Sequence, residues 1–261
     1  MAENDKETKF QKDPASRVLS LVSHKLKTPL SIINGYTEAI LSQTKPEEMS
    51  SFTVKALEDI SKQGEKMALL VDKLVRFSSV NALLSSDIKK EAVKVRPMFV
   101  SAAEKCVGRD DSLNIMSSDD TIRRRGPSIE IKCEPDVTIF ADGALVSIAL
   151  EELVDNAIKF NNNAIKKIRI FYYEENGKDV LAVADNGVGI KEEEISKIFE
   201  KFYQIDDFFT GQIEGWGLGL ALVKRIMNLH KGTISVRSQY GIGTIISLRF
   251  SKQWTQIQKN N

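Results

Sequence analysis

Two rhythms of apolar and polar positions run along this chain. From Ser16 to about Ser42, the residues Leu19, Val22, Leu26, Ile33, Tyr36 and Ile40 recur at alternating a and d positions of a heptad, with Pro29 at a further d position. From Thr53 to about Val80, Leu57, Ile60, Gly64, Met67, Val71 and Leu74 keep the same three-four spacing. Each series predicts a helix with one apolar seam. Lys45 and Pro46 fall in the turn between them. A two-helix hairpin leaves much of each seam in water, so the pattern predicts a homodimer in which two hairpins complete a four-helix bundle. Gly64 inside the second helix costs roughly 1 kcal/mol against alanine, which is tolerable where two backbones approach.

After Asn81 the heptads stop and a second domain begins. Period-two segments predict strands at Ile129–Cys133, Val137–Phe140, Lys167–Tyr173, Val180–Ala184, Thr233–Arg237 and Thr244–Phe250. Glu175-Asn176-Gly177-Lys178 joins two of them as a hairpin. Helices are predicted at Pro97–Lys105, Gly143–Phe160, Lys191–Phe199 and Leu218–Leu229. Antiparallel strands with helices over one face describe a two-layer α/β sandwich, so the fold class is α+β: a dimerising helical hairpin followed by that sandwich. The expected boundaries are 1–14 for a disordered start, 15–86 for the hairpin, 87–252 for the sandwich and 253–261 for a polar tail. Gly108–Ser128, rich in Asp, Ser and Arg, reads as a mobile surface loop.

Composition narrows the classes. With 37 basic against 36 acidic residues there is no global field to draw the chain onto nucleic acid or anionic lipid. Cys106 and Cys133 have neither metal-ligand spacing nor disulfide-scaffold density. No apolar run approaches the roughly 20 residues that span a bilayer, and the first residues lack an apolar signal segment. The expected location is cytoplasmic, with no membrane segment in this chain and no nucleic-acid partner.

Four stretches of the second domain carry the candidate chemistry: EELVDNAIKF (151–160), DNGVGI (185–190), IFEKFYQ (198–204) and GWGLGLALVKRI (215–226). Glu152, Asn156 and Lys159 lie at i, i+4 and i+7, one polar stripe on a helix whose other face is apolar. A solvated face is the bland alternative, but it leaves Asn, a poor helix former, unexplained in the middle. An amide oxygen and a carboxylate can hold Mg²⁺ while a lysine meets a phosphate, a division of labour that fits a triphosphate. Asp185 ends a strand before two glycines, where its carboxylate can accept a hydrogen bond from an exocyclic amine and so select adenine. Gly215, Gly217 and Gly219 let backbone amides approach an anion at the start of a helix.

These boxes resemble those of the sensor histidine kinases, whose ATP-binding domain shares its fold with DNA gyrase, mismatch-repair ATPases and a chaperone family; the likeness covers nearly the whole chain. It implies that Asn156 and Glu152 hold Mg²⁺, Lys159 a phosphate and Asp185 the adenine amino group. Phe160, Gly187, Gly189, Leu218, Leu220 and Thr244 complete the ATP-contacting set. Phe199 and Phe202 would anchor a lid over about Tyr203–Glu214, and Gly241, Gly243 and Thr244 resemble the closing glycine turn before the last strand. His230, in LHKG, is expected to cap a helix before Gly232.

SHKLKTPL (23–30) resembles the phosphoacceptor box of the same kinases. His24 falls at the solvent-facing f position of its heptad, and with an ordinary pKa of about 6.5 its imidazole is largely neutral at pH 7, with a ring nitrogen free to attack the γ-phosphorus. The implied activity is ATP-dependent autophosphorylation of His24, followed by transfer to an aspartate of a response-regulator receiver domain. Thr28, one turn on, is where relatives orient water to dephosphorylate that partner. Two positions depart from the family. Lys25 replaces the usual acid, and a cation cannot accept the proton from the imidazole; such assistance is worth about 10²- to 10⁴-fold. Gln204 stands where many relatives have an arginine that steadies the transferring phosphate. A weakened, phosphatase-biased or purely scaffolding relative is therefore a second expectation. An ATP-driven clamp with Glu152 as base is a third.

Overall fold

In a computed structural model of the protein, residues 26, 30–42, 50–107, 121–122, 127–205 and 217–252 are described. The chain divides into two compact units at Ala82/Leu83.

The first unit contains helix α1 over 30–42 and the long α2 (Ser51–Ala82). Ser50 starts α2 as its cap, its hydroxyl accepting from the Thr53 amide at 3.1 Å. On α1, Leu30 and Thr37 are buried seven residues apart; on α2, Gly64, Val71 and Ser78 repeat the same interval. Gly64 lies against α1, where a Cβ would meet Asn34 Oδ1 at 1.8 Å. What Gly64 makes room for is thus the Asn34 side chain, whereas a close approach of two backbones was expected. The predicted heptad residues differ in environment, with Leu57 and Leu74 half-buried. Gly64 and Val71 are buried, whereas Leu26, Ile33, Tyr36 (70 % exposed), Ile40, Ile60 and Met67 lie open along with Phe52 (80 %). Ser16–Leu19, Val22, Pro29 and the Lys45-Pro46 turn lie outside the described residues.

The second unit is built on a six-stranded sheet in the order β2-β3-β5-β6-β8-β7. Its strands are β2 (Thr121–Ile122), β3 (Ser128–Lys132), β5 (Lys167–Glu175), β6 (Lys178–Asp185), β7 (Thr233–Gln239) and β8 (Gly243–Ser251). All pairs are antiparallel except β3 with β5, where a crossover through β4 (Thr138–Ala141) and helix α4 (Gly143–Lys159) returns the chain in the same direction. The two remaining helices are α3 (Val95–Val107) and α5 (Gly219–Leu229). All three pack on one sheet face, α3 at β3, α4 at β5 and β6, and α5 at β7. Ile170, Val183 and Ile246 share one register row and are buried beneath them, together with Leu150, Leu153, Leu222 and Ile226. This is the expected α+β two-layer arrangement.

Four local readings change. Residues 191–199 do not form an α-helix: the chain makes a 3₁₀ turn, Glu192–Glu194, and continues in i to i+3 rungs such as Lys197 N to Glu194 O and Glu200 N to Lys197 O. The acids of the first turn suit a helix start, but nine residues are too short to repay the costly nucleation of an isolated α-helix. The 108–128 loop is interrupted by β2, which pairs Ile122 with Ile129, and β3 already starts at Ser128; residues 108–120 and 123–126 lie outside the described ones. An unpredicted strand, β1 (Glu91–Lys94), pairs with β4 as a separate two-stranded sheet. Its four residues are too few to display an alternation. The predicted strands end one or two residues from the observed bounds. The Asn176-Gly177 hairpin forms as expected, with both residues in the left-handed region at φ 51° and 69°.

Candidate functional site

Helix α4 is met at two places: its C-terminal end by the turn after Asp185, through Val188 N to Phe160 O, and its polar stripe by the first turn of α5 at Gly219. Asp142 caps α4: its Oδ1 accepts from Leu145 N at 3.1 Å, and its Oδ2 accepts from Lys89 N at 3.0 Å. The helix then presents Glu152, which is buried, with half-buried Asn156 and Lys159. Gly219, the first residue of α5, lies against this stripe; a Cβ there would meet Glu152 Oε2 at 2.6 Å and Asn156 Nδ2 at 3.7 Å. The α4 carboxylate and amide therefore converge on the start of α5. Lys159 Nζ contacts Asp155 Oδ2 at 2.6 Å, one turn earlier on its own helix.

Asp185 ends β6, and its Oδ1 accepts the Gly187 amide at 2.7 Å. Burial pushes its carboxyl above the usual carboxylate range, opposed by backbone hydrogen bonds from Gly187 and Thr244. The following turn is compressed. A Cβ on Gly187 would sit 2.4 Å from Phe160 O, the carbonyl that accepts Val188 N at 3.0 Å. Gly189 (φ 68°) leaves no room against Gln239 O, and Gly241 N donates to Val188 O at 2.7 Å. The β7–β8 turn is thereby stacked on the DNGVG turn.

Thr244, buried on β8, shares a 2.8 Å hydroxyl contact with Ser238, whose Oγ also accepts Ile190 N at 2.8 Å and donates to Gly243 O at 3.0 Å. A serine in an alternating strand carries no distinguishing pattern, so the sequence alone does not mark Ser238. Leu218 is buried as the residue preceding α5, and Leu220 is half-buried. Gly217 (φ 62°) is pressed against Phe202 and Tyr203, with Phe202 N donating to its carbonyl at 2.8 Å. Phe199 is half-buried, whereas Phe202, with a left-handed backbone (φ 63°), is exposed. Gln204 is half-buried. His24, Lys25, Thr28, Gly215 and residues 206–214 of the expected lid lie outside the described residues, as do 1–14 and 253–261.

His230 is the C-cap of α5, as expected, and does more than cap. Its buried ring has Nδ1 at 2.8 Å from Ile226 O and accepts Asp142 N–H at Nε2, 3.0 Å. One nitrogen faces a carbonyl and the other an amide, which selects the neutral Nδ1–H tautomer; burial holds the imidazole below its ordinary pKa. The ring thus joins the end of α5 to the cap of α4.

Hard oxygen donors suit Mg²⁺, and Glu152 with Asn156 supply a carboxylate and an amide at one place. Among the described residues no group of three or more His, Cys, Asp or Glu could hold a metal ion. The residues present fit a magnesium ion that takes most of its ligands from phosphate oxygens and water.

Two sequence families cover most of the chain: residues 15–83 match the His Kinase A (phospho-acceptor) domain, and residues 141–253 match the histidine kinase-, DNA gyrase B-, and HSP90-like ATPase. The chain belongs to the two-component histidine kinases. This kinase core is 30 % identical over 252 residues to the sensor histidine kinase YkoH of Bacillus subtilis (strain 168), covering 95 % of this chain and 48 % of YkoH. It is 28 % identical over 233 residues to the sensor protein SrrB of Staphylococcus aureus (strain NCTC 8325 / PS 47), covering 88 % of this chain and 37 % of SrrB. The chain spans less than half the length of either relative. Two solved structures share the fold. Full-length ShkA in complex with AMPPNP has a TM-score of 0.64 at 23 % identity, covering 90 % of this chain and 45 % of that one. The Acinetobacter baumannii histidine kinase AdeS has a TM-score of 0.53 at 22 % identity, covering 88 % and 98 %.

Proposed function

We propose that the second unit binds ATP with Mg²⁺ and phosphorylates His24, and that the phosphoryl group then passes to an aspartate of a response-regulator receiver domain. The observation that carries this reading is that helix α4 brings its Glu152–Asn156 pair against Gly219 at the start of α5 and its C-terminal end against the turn after Asp185, in a chain with both kinase families. Asp185 accepts the adenine amino group. Glu152 and Asn156 hold the metal, and the amides at the start of α5 face the phosphates together with Leu218, Leu220 and Thr244. When bound, Mg²⁺ neutralises charge on the phosphate oxygens. Lys159 must leave Asp155 to meet a phosphate. Phe199 and Phe202 flank the base of the lid.

In the transfer, a ring nitrogen of His24 forms a bond to the γ-phosphorus as the bond from that phosphorus to the bridging oxygen of ADP breaks, and the imidazole proton passes to solvent or a base. Lys25 cannot be that base. Loss of such assistance costs about 10²- to 10⁴-fold, and Gln204 brings no charge to the transition state. These two residues favour the second reading, a core of slow autokinase activity or one biased towards dephosphorylation through Thr28. The exposed seam of Leu26, Ile33, Tyr36, Ile40, Ile60 and Met67 supports a homodimer closing a four-helix bundle. The proposed organisation is 15–86 for dimerisation and phosphoacceptance and 87–252 for ATP, working in the cytoplasm. No helix among the described residues is long and apolar enough to cross a membrane.

γ-Labelled ATP separates the readings. Acid-labile, alkali-stable label that disappears in His24→Ala supports the kinase; free phosphate without labelled protein supports a clamp; nucleotide binding with neither supports a scaffold. If Lys25 limits the rate, Lys25→Glu raises the autokinase or the phosphatase rate, and unchanged rates for both remove that explanation.

A further inference from the structure

Asn161 follows the last residue of α4's C-cap and is wholly excluded from solvent, at 0 % exposure. Nothing in the hydrophobic pattern requires an amide there, and burying one costs free energy unless its hydrogen bonds are made. They are made, and one runs directly to the residue after Asp185. Asn161 Oδ1 accepts Asn163 N at 3.2 Å and Asn163 Nδ2 at 3.2 Å, while its Nδ2 donates to Asn186 Oδ1 at 2.8 Å. Backbone amides determine both amide orientations: Asn163 N–H requires an oxygen on Asn161, and Lys167 N–H, 2.7 Å from Asn186 Oδ1, requires an oxygen there. Asn186 is held in addition through Nδ2 to Ile165 O at 3.2 Å, through its own amide to Lys167 O at 3.2 Å, and through its carbonyl, which accepts Asn163 Nδ2.

The residue before Asn186 is Asp185. Among the described residues its carboxylate is held by the backbone of Gly187 and Thr244 rather than by a side chain. Its direction follows the 185–188 turn, and that turn is fastened to 160–163 by the Asn161–Asn186 bond, by Asn163 and by Val188 N to Phe160 O.

We infer that Asn161 is a positioning residue for base selection: acting through Asn186, it holds Asp185 in the direction that lets its carboxylate accept the 6-amino group of adenine. The inference rests on the nucleotide reading of the site. The bond is worth more to ATP than to a base without that amino group, because a misdirected carboxylate loses its partner only where there is an amine to receive.

The test is calorimetric titration of the full chain with ATP and with ITP, each with Mg²⁺, since inosine carries an oxygen in place of the 6-amino group. The wild type prefers ATP. Asn161→Ala lowers the ratio of the two affinities about tenfold, mostly by weakening ATP, as expected for loss of one buried hydrogen bond in a specificity element. Asn163→Ala, at an exposed position, lowers it by a smaller factor, about threefold; it decides the matter if Asn161→Ala does not fold. A purely structural role lowers the melting temperature and leaves the ratio alone. An unchanged ratio in folded Asn161→Ala, or in Asn163→Ala if the first variant fails to fold, overturns the inference while leaving nucleotide binding intact. Absence of binding to either nucleotide by the wild type overturns the nucleotide reading, and this inference with it.

Discussion

Gly187→Ala is a steric test of how tightly the DNGVG turn is fastened. The φ of Gly187 is not in the left-handed region, so its backbone would accept alanine in open space. Its surroundings do not: the new Cβ lies 2.4 Å from Phe160 O, about 1 Å short of the 3.4 Å at which ordinary contact begins, and 2.8 Å from Asp185 Oδ1. Relief requires Phe160 O to move, loosening its bond from Val188 N. Overpacking costs about 1–3 kcal/mol, and a weakened backbone hydrogen bond about 1 kcal/mol. Together these destabilise the second unit by about 2–4 kcal/mol. For a domain of this size that lowers its melting temperature by about 5–15 °C, and the displaced Asp185 carboxylate weakens ATP binding at the same time. The control is Gly177→Ala in the β5–β6 hairpin. At φ 69° with nothing within 4 Å, it carries a backbone cost without a clash, about 1 kcal/mol. Thermal unfolding of the three proteins, followed by circular dichroism and paired with ATP titration, measures both effects. A Gly187→Ala melting temperature within about 2 °C of wild type, with unaltered ATP affinity, would refute the reasoning.

Three further outcomes follow from the same contacts. Because burial raises the Asp185 carboxyl, its ionised form is costly in the fold, so Asp185→Asn leaves the nucleotide-free domain as stable as wild type or more stable at pH 7, as measured by urea unfolding; a marked loss of stability contradicts this. His230 has its imidazole pKa lowered by burial, so the unfolded chain binds the extra proton, and its contribution to stability is complete above pH ~6.5 and lost as pH falls below that value. His230→Gln flattens the fall in unfolding free energy between pH 7.5 and 5.5, and equal slopes in the two proteins rule the effect out. In the helical unit, Gly64→Ala is expected to destabilise through its clash with Asn34, whereas Gly64→Ala combined with Asn34→Ala gains about 1 kcal/mol in helix propensity; additive effects in denaturant unfolding would deny the coupling.

Much of the fold was legible because the relevant pattern was local. Hydrophobic periodicity located α4, α5 and the four long strands, and the turn chemistry of Asn176-Gly177 placed the hairpin. What escaped depends on partners distant in sequence. β1 and β2 are short strands whose hydrogen bonds come from β4 and β3. Residues 191–199 have helical spacing and an acidic first turn, but the segment is too short to sustain more than a 3₁₀ turn. The polar stripe Glu152–Asn156–Lys159 could be read from the helix period alone, and the structure brings its first two members to Gly219. The pairing of Lys159 with Asp155 was open to an i, i+4 count, yet a single rotamer decides between that carboxylate and a phosphate. Asn161, Asn163 and Ser238 became visible only when the end of α4 and the β7–β8 turn met the DNGVG loop, since nothing in their sequence neighbourhoods distinguishes them from surface polar residues.

The central claim, that the second unit is an adenine-nucleotide site, is tested most directly by titrating the intact chain with ATP in the presence of Mg²⁺ while following heat. The account predicts saturable binding at one site per chain, weakened at least about tenfold by Asp185→Asn. An absence of heat up to millimolar nucleotide, or equal affinity in Asp185→Asn, would contradict it.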